Sequence, residues 1–167
     1  MHLRLNWIYY ILITVCFHSS VTAALQLDSK EKVFIVADTT TYNYKTGVKI
    51  FLGNVKVDQG TTHLTADKVI TKDNERHQLE ELLAFGVLQS AHYWTLPKIG
   101  DTELHSYAKT IKFHPLLANV TLEQDVVVIQ GENSFKGQLI HYNMDDQTIT
   151  VPASKNARAE LVYTPEK

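Results

Sequence analysis

The chain has 167 residues, of which 44% are hydrophobic and 20% charged, which is enough for one domain with a packed core and excludes a disordered tail. Sixteen Lys and Arg against eighteen Asp and Glu leave a formal charge of −2, which argues against a nucleic-acid protein or a polybasic membrane-surface binder. Val, Ile, Thr, Tyr and Phe are plentiful while Pro numbers four and Gly seven, a composition that leans towards strand and excludes collagen, coiled coil and low-complexity chains.

Residues 1–24 read as an export signal. Arg4 is the one formal charge before Asp28, and Trp7 to Phe17 is almost wholly apolar. Ser19, Ser20, Val21, Thr22, Ala23 and Ala24 follow. Val21-Thr22-Ala23 puts small residues where a signal peptidase inspects them, so cleavage after Ala23 or Ala24 is expected. The apolar run is shorter than the about 20 residues that cross a hydrocarbon core. An uncleaved anchor is the alternative. Cys16, the only cysteine, lies in this run, so the exported chain would hold no thiol and no disulfide. Export without disulfides suits a bacterial periplasm.

From Val33 onwards, short runs with period-two alternation are separated by turn residues. Val33 to Val36 opens, and Asp38 to Tyr42 continues in β-branched residues. After a turn at Lys45-Thr46-Gly47, Lys49 to Asp58 is predicted as strand with a kink at Gly53-Asn54. Gln59-Gly60 turns into Thr62 to Thr71, and Lys72-Asp73-Asn74-Glu75 forms a polar tip. Leu79 to Phe85 has helical spacing but no N-cap, stops at Gly86 and is too short to stand as an isolated helix. It is assigned to strand. Leu104 to Phe113 reads as one alternating run with Tyr107, Ile111 and Phe113 on one side. Beyond Pro115, strands are predicted over Val120 to Ile129, Phe135 to Tyr142 and Gln147 to Val151. The domain is bounded at 25–152, and 153–167 is a tail in which Ala159 to Tyr163 can add one edge strand. The fold class is all-β.

The chain also repeats itself. Asn54-Val55-Lys56-Val57-Asp58-Gln59-Gly60 recurs 71 positions later as Asp125-Val126-Val127-Val128-Ile129-Gln130-Gly131. Leu64 corresponds to Phe135, Thr39 to Thr110 and Phe51 to Leu122. Recurrence of a strand-turn-strand unit implies stacked, similar rungs rather than a closed Greek key.

Nothing in the chain supports catalysis. His63, His77, His92, His105, His114 and His141 make no HExxH pair and no two stand three or four apart, so a metal site has no local support. Asp145-Asp146 lies at a hairpin turn, where the backbone favours such residues, and adjacent strand side chains point to opposite faces. There is no Gly-x-Ser-x-Gly and no phosphate-cradling glycine loop. No enzyme activity and no cofactor are expected.

The informative pattern is the set of apolar faces. Phe51, Val55 and Val57 share a parity whose reverse carries Lys56 and Asp58. Val33 and Ile35, Ile111 and Phe113, and Leu122, Val126 and Val128 form similar stripes. Without helices to cover it, such a sheet must fold over on itself. Either the side chains fill a sandwich core, or the lining stays spread and leaves a slot for acyl chains. At ~0.8 kcal/mol per buried methylene, a twelve-carbon chain in a slot gains on the order of 9 kcal/mol gross.

Val33-Phe34-Ile35-Val36-Ala37-Asp38, Gly53-Asn54-Val55-Lys56-Val57-Asp58-Gln59-Gly60, Leu64-Thr65-Ala66-Asp67-Lys68-Val69 and Ala84-Phe85-Gly86 together resemble the OstA-like family, and within it the LptA-type bridge proteins of lipopolysaccharide transport. The resemblance runs from about Val33 to Val151. It implies an open β-jellyroll, a "β-taco" of folded-over antiparallel strands, whose apolar interior takes the acyl chains of lipid A. It further implies head-to-tail self-association and LptC-type and LptD-type partners, joined by strand addition. By position, Val33, Ile35, Phe113 and Tyr93 match lipid-lining residues of the family. Leu64, Phe85 and Phe135 complete a candidate lining with Phe51, Val55, Val57, Ile111, Leu122, Val126 and Val128.

Two other readings stand beside this one. An LptC-type subunit of the same system shares the fold but keeps its N-terminal segment in the inner membrane. A periplasmic carbohydrate-binding β-domain would use Trp94, Tyr93 and Tyr107 as an aromatic platform.

Overall fold

A computed structural model describes residues 31–97, 100–146, 148–153 and 158–165. Residues 1–24, the expected export signal, lie outside the described residues. Twelve strands occur among those described: β1 (Phe34–Val36), β2 (Thr39–Asn43), β3 (Val48–Gln59), β4 (Thr62–Asp73), β5 (Leu79–Phe85), β6 (Ala91–Thr95), β7 (Leu104–Ala108), β8 (Thr110–His114), β9 (Asn119–Gln130), β10 (Asn133–Asn143), β11 (Thr148–Thr150) and β12 (Glu160–Val162). All pairings are antiparallel, and one 3-10 turn, Pro115–Leu117, separates β8 from β9.

The long strands β3, β4, β9 and β10 are each shared between two leaves of one folded-over sheet. In the first leaf the order is β2, the 48–52 half of β3, the 68–72 half of β4, β5, β8, the 119–123 half of β9, the 139–143 half of β10, and β11. In the second it is β1, the 55–59 half of β3, the 62–66 half of β4, β6, β7, the 127–130 half of β9, the 133–137 half of β10, and β12. This is the open β-jellyroll expected from the sequence.

The crease between the leaves is written in the backbone. At the predicted kink, Gly53 and Asn54 adopt φ of 77° and 46°, and Gln124 and Asp125 repeat this with 64° and 54°. Two successive left-handed residues bend a strand and shift its register, and the β3–β4 register does shift between Leu52 and Val55. Asp38 N–H donates to the Gly53 carbonyl at 3.0 Å, and Lys109 N–H donates to the Gln124 carbonyl at 3.0 Å. Chain crossings therefore line up along one spine, with hairpin turns on the opposite rims.

The 71-residue repeat extends through the whole fold. Ile35 pairs with Val57 as Ser106 pairs with Val128, and Tyr93 pairs with Leu64 as Leu161 pairs with Phe135. Strands β1–β6 and β7–β12 are thus two copies of one six-strand unit. Leu79 to Phe85 is a strand because it is claimed from both sides, by β4 and by β8. Tertiary pairing overrides the helix propensity of its Leu and Glu residues.

Two expectations need correction. Leu104 to Phe113 is not one strand: it crosses the spine at Lys109, with β7 pairing β6 in the second leaf and β8 pairing β5 in the first. Side-chain parity resets there, so Leu104, Ser106 and Ala108 are buried together with Ile111, and Tyr107 is turned to the outside. The second concerns the stretch after Gly86, where Ala91 to Thr95 forms β6 with the small or polar Ala91 and Thr95 at its buried positions.

Candidate functional site

The inner faces of the two leaves meet in a single apolar cluster. Val55 and Val126 come from the second leaf, Val69, Ile111, Leu122 and Ile140 from the first, and all are under 2% exposed. Each such side chain contributes about 1.5–3 kcal/mol by leaving water.

Two cavities lie between the leaves. One, of about 60 Å³, is walled by Val33, Val57, Leu64 and Tyr93 on one side and by Leu79, Leu82, Ile111, Phe113 and Val120 on the other. The second, of about 10 Å³, is bounded by Tyr93, Leu104, Ser106 and Val128 opposite Val120, Leu122, Ile140, Tyr142 and Ile149. Tyr93 and Val120 belong to both walls, so the two are compartments of one slot divided at that pair. The larger holds about two waters' share of liquid volume. Among the described residues no strand pairing joins the two rims; the leaves are tied at the spine and otherwise held by side-chain packing.

Of the proposed lining residues, Phe51, Val55, Val57, Leu64, Ile111, Leu122, Val126 and Val128 are buried in this cluster. Ile35, Tyr93, Phe113 and Phe135 pack against it half-buried. Val33 stands at one end of the slot, 49% exposed. Phe85 does not belong. Its neighbours Leu82 and Ala84 are the buried positions of β5, and the Phe85 ring lies outside under the Lys68 ammonium, 5.8 Å from its centroid. Val69, Leu82, Val120 and Ile140 were missed, although Val120 and Leu122 share the parity of Val126 and Val128.

The aromatic platform is divided between faces. Tyr93 points into the slot, whereas Trp94 and Tyr107 stand on the outer surface within a ladder of upright rings. His63 stacks on Trp94 at 4.9 Å, His92 on Trp94 at 4.5 Å, and His92 on Tyr107 at 4.2 Å. Rings stacked on one another across strands hide the faces that a sugar-binding platform would present. His92 Nε2 and His105 Nδ1 share a hydrogen bond of 3.1 Å, and burial, followed by the nearby His105, holds the His92 imidazole below its ordinary pKa. Asp58 holds His63 at 2.6 Å, and Glu103 lies 3.4 Å from the other nitrogen of His105. Among the described residues no three His, Cys, Asp or Glu side chains converge as a metal centre.

Among the described residues, β1 and β2 pair only with β3, and β11 and β12 only with β10, which leaves both ends of the sheet without a further strand there. Large apolar side chains are exposed at both ends: Phe34 and Val36 on β1, Leu161 and Val162 on β12, and Tyr163 just beyond.

Comparison with known proteins places this geometry. Residues 34–148 match the family model described as LptA/(LptD N-terminal domain) LPS transport protein. The lipopolysaccharide export system protein LptH of Pseudomonas aeruginosa is 28% identical over 162 residues, covering 93% of this chain and 91% of the relative. The export system protein LptA of Escherichia coli K12 is 25% identical over 147 residues, covering 84% of this chain and 75% of its own length. The crystal structure of the Pseudomonas LptH, described as the LptA-homologous periplasmic component of the lipopolysaccharide transport device, superposes with a TM-score of 0.75 at 26% identity. It covers 83% of this chain and 99% of that one.

Proposed function

The chain belongs to the LptA/(LptD N-terminal domain) LPS transport protein family, and from that premise we propose that it is a non-enzymatic periplasmic bridge carrying lipopolysaccharide between the inner and outer membranes. The acyl chains of lipid A lie between the leaves, and the sugar headgroup remains outside the rims. LptC-type and LptD-type proteins, or further copies of the chain, add at the two bare ends. Residues 1–24 export it.

The observation that carries this reading is the slot: an apolar interior running between two leaves hinged at one spine, with rims that no backbone pairing closes among the described residues. As it stands, the slot is too narrow for a full acyl chain. Parting the leaves costs van der Waals contacts between side chains but breaks no strand pairing. A chain of twelve carbons returns on the order of 9 kcal/mol gross for that separation. The exposed positions of the same strands, such as Lys56 between the buried Val55 and Val57, have no part in it.

A photo-crosslinking side chain introduced at Phe113 or at Ile35 captures lipopolysaccharide in cells, and one at Lys56 does not. Equal capture at all three positions overturns the interior route. Sequencing the N-terminus of the exported protein tests the soluble form: an intact Met1 points instead to a membrane-anchored subunit.

A further inference from the structure

The inner wall of the first leaf carries a polar stretch at its rim, in the first of the two units. Counted inward from the rim along β4, Asp73, Thr71 and Val69 share one parity, and Thr71 and Val69 are 4% and 0% exposed. Thr71 lies between Lys49 of β3 and Leu82 of β5, and Lys49 lies opposite Tyr42 of β2. The Lys49 ammonium donates to the Asp73 carboxylate at 2.5 Å and stands 4.8 Å from the centroid of the Tyr42 ring. Among the described residues the Thr71 hydroxyl is the one buried side-chain polar atom without a hydrogen-bond partner. Thr95, comparably buried, shares a 2.9 Å bond with Thr62.

The 71-residue repeat indicates that the fold does not ask for this polarity. Val120 pairs with Tyr142 as Lys49 pairs with Thr71, and Phe113 pairs with Val120 as Tyr42 pairs with Lys49. Met144 takes the place of Asp73. The second unit thus fills the same four positions with Phe113, Val120, Tyr142 and Met144, all of which pack in or against the core. A buried hydroxyl without a partner is a destabilising choice where a packed aromatic or aliphatic side chain serves.

We propose that the Thr71 hydroxyl is a ligand group of the slot, donating its hydrogen bond to the ester or amide carbonyl at the head of a bound acyl chain. This rests on the transport function proposed above and adds where in the slot the polar end of the lipid is held.

The depth of the site suits that chemistry. In an acyl lipid the carbonyl is the last polar group before the hydrocarbon begins. Thr71 is two residues, about 7 Å, inward of the rim residue Asp73, and it lies opposite Leu82, which walls the larger cavity. A chain anchored there sets its head beside Lys49 and Asp73 and runs its methylenes past Leu82 and Phe113, which are cross-strand neighbours. An amphiphile joined to its head through an ether-type oxygen offers no carbonyl and leaves the hydroxyl unpaired. The site therefore selects acyl lipids over alkyl amphiphiles of the same length.

The test measures binding of two probes to the purified full chain. One is lipopolysaccharide; the other is dodecyl maltoside below its micelle concentration, a sugar-headed twelve-carbon alkyl chain without a carbonyl. Thr71→Val keeps the side-chain shape and removes the hydroxyl. It is expected to weaken lipopolysaccharide binding about five-fold, to leave dodecyl maltoside binding within about two-fold, and to raise the urea midpoint of the lipid-free protein. Thr71→Ser keeps the hydroxyl and is expected to bind lipopolysaccharide as the native chain does. Unchanged lipopolysaccharide binding by Thr71→Val overturns the hydrogen bond and leaves the transport reading standing. An equal loss towards both probes also overturns it, because the side chain would then act by packing. So does a lowered lipid-free midpoint, which would mean that the hydroxyl is already satisfied in the folded chain. A native chain that does not bind lipopolysaccharide removes the transport reading and this site with it.

Discussion

The Asn54 side-chain amide donates a 2.9 Å hydrogen bond to the Asp38 carboxylate, tying two crossings of the spine beside Gly53. A Cβ on Gly53 would collide with that carboxylate, and the backbone there is left-handed at φ 77°. Gly53→Ala is therefore expected to lower stability by about 2 kcal/mol, from strain and steric conflict together. Adding Asp38→Ala should restore the steric part and not the backbone part. Urea unfolding of the two variants reads this directly, and an unchanged midpoint for Gly53→Ala removes the crease as a strained element.

The equivalent position in the second unit carries the opposite prediction. Gln124 already holds a Cβ at φ 64°, a conformation that costs an ordinary L-residue roughly 1–2 kcal/mol. Gln124→Gly relieves that strain at some cost in chain entropy, for a net gain of about 0.5–1 kcal/mol. A loss of stability on this substitution would mean that Gln124 is held by contacts stronger than its backbone strain.

These crossings also mark where the sequence was legible and where it was not. Within a leaf, alternation reported the inner face well: Phe51, Val55 and Val57 read correctly, as did Leu122, Val126 and Val128. At the spine a single residue resets the parity, and nothing in Ala108-Lys109-Thr110 announces it, so Tyr107 was grouped with Ile111 and Phe113. β6 hid for a different reason. Its inward positions include the small or polar Ala91 and Thr95, while His92 and Trp94 face out, so its hydrophobic pattern is inverted. Phe85 was misread for the same reason, since the buried position beside it belongs to the small Ala84. The repeat, by contrast, survives at low identity because turns and bulges recur at fixed spacing even where Gly53-Asn54 has become Gln124-Asp125.

Tyr93 divides the slot, because its ring lies in the wall of both cavities. Tyr93→Ala should join them and cost about 3 kcal/mol of stability through lost burial and the cavity left behind. Lipopolysaccharide capture at Phe113 should nevertheless be retained or rise, since less packing must be displaced to admit a chain. Loss of capture in a variant that remains folded by circular dichroism would show that Tyr93 contacts the lipid rather than fills the space.

Val126 and Val127 are adjacent and point to opposite faces; Val126 is 1% exposed, and Val127 lies opposite Lys136 on β10. Val126→Asp buries an unpaired charge in the core and is expected to cost 4 kcal/mol or more, on the order of the cost of breaking a buried ion pair. Val127→Asp meets the Lys136 ammonium on the outer surface and should change stability by at most about 1 kcal/mol. Comparable losses in the two variants, measured by thermal or urea unfolding, would contradict the assignment of faces.

The ring ladder makes the joint between the two units sensitive to acid. His92 faces His105 Nδ1 at 3.1 Å and the stacked rings of Trp94 and Tyr107, with His63 beyond Trp94 and Glu103 beyond His105. A hydrogen bond between two imidazoles needs one donor and one acceptor, so a proton on both rings turns it into a repulsion across β6 and β7. Burial and His105 depress the His92 pKa below its ordinary 6.5, so the unfolded chain binds this proton more readily than the folded one. The stabilisation is complete above about pH 6.5 and is lost as pH falls from there through the folded value. Urea midpoints at pH 7.5 and 5.5 should therefore separate more for the native chain than for His92→Gln, which keeps a hydrogen-bonding group without the titration. Equal separations in the two proteins would show that this pair does not set the acid response of the joint.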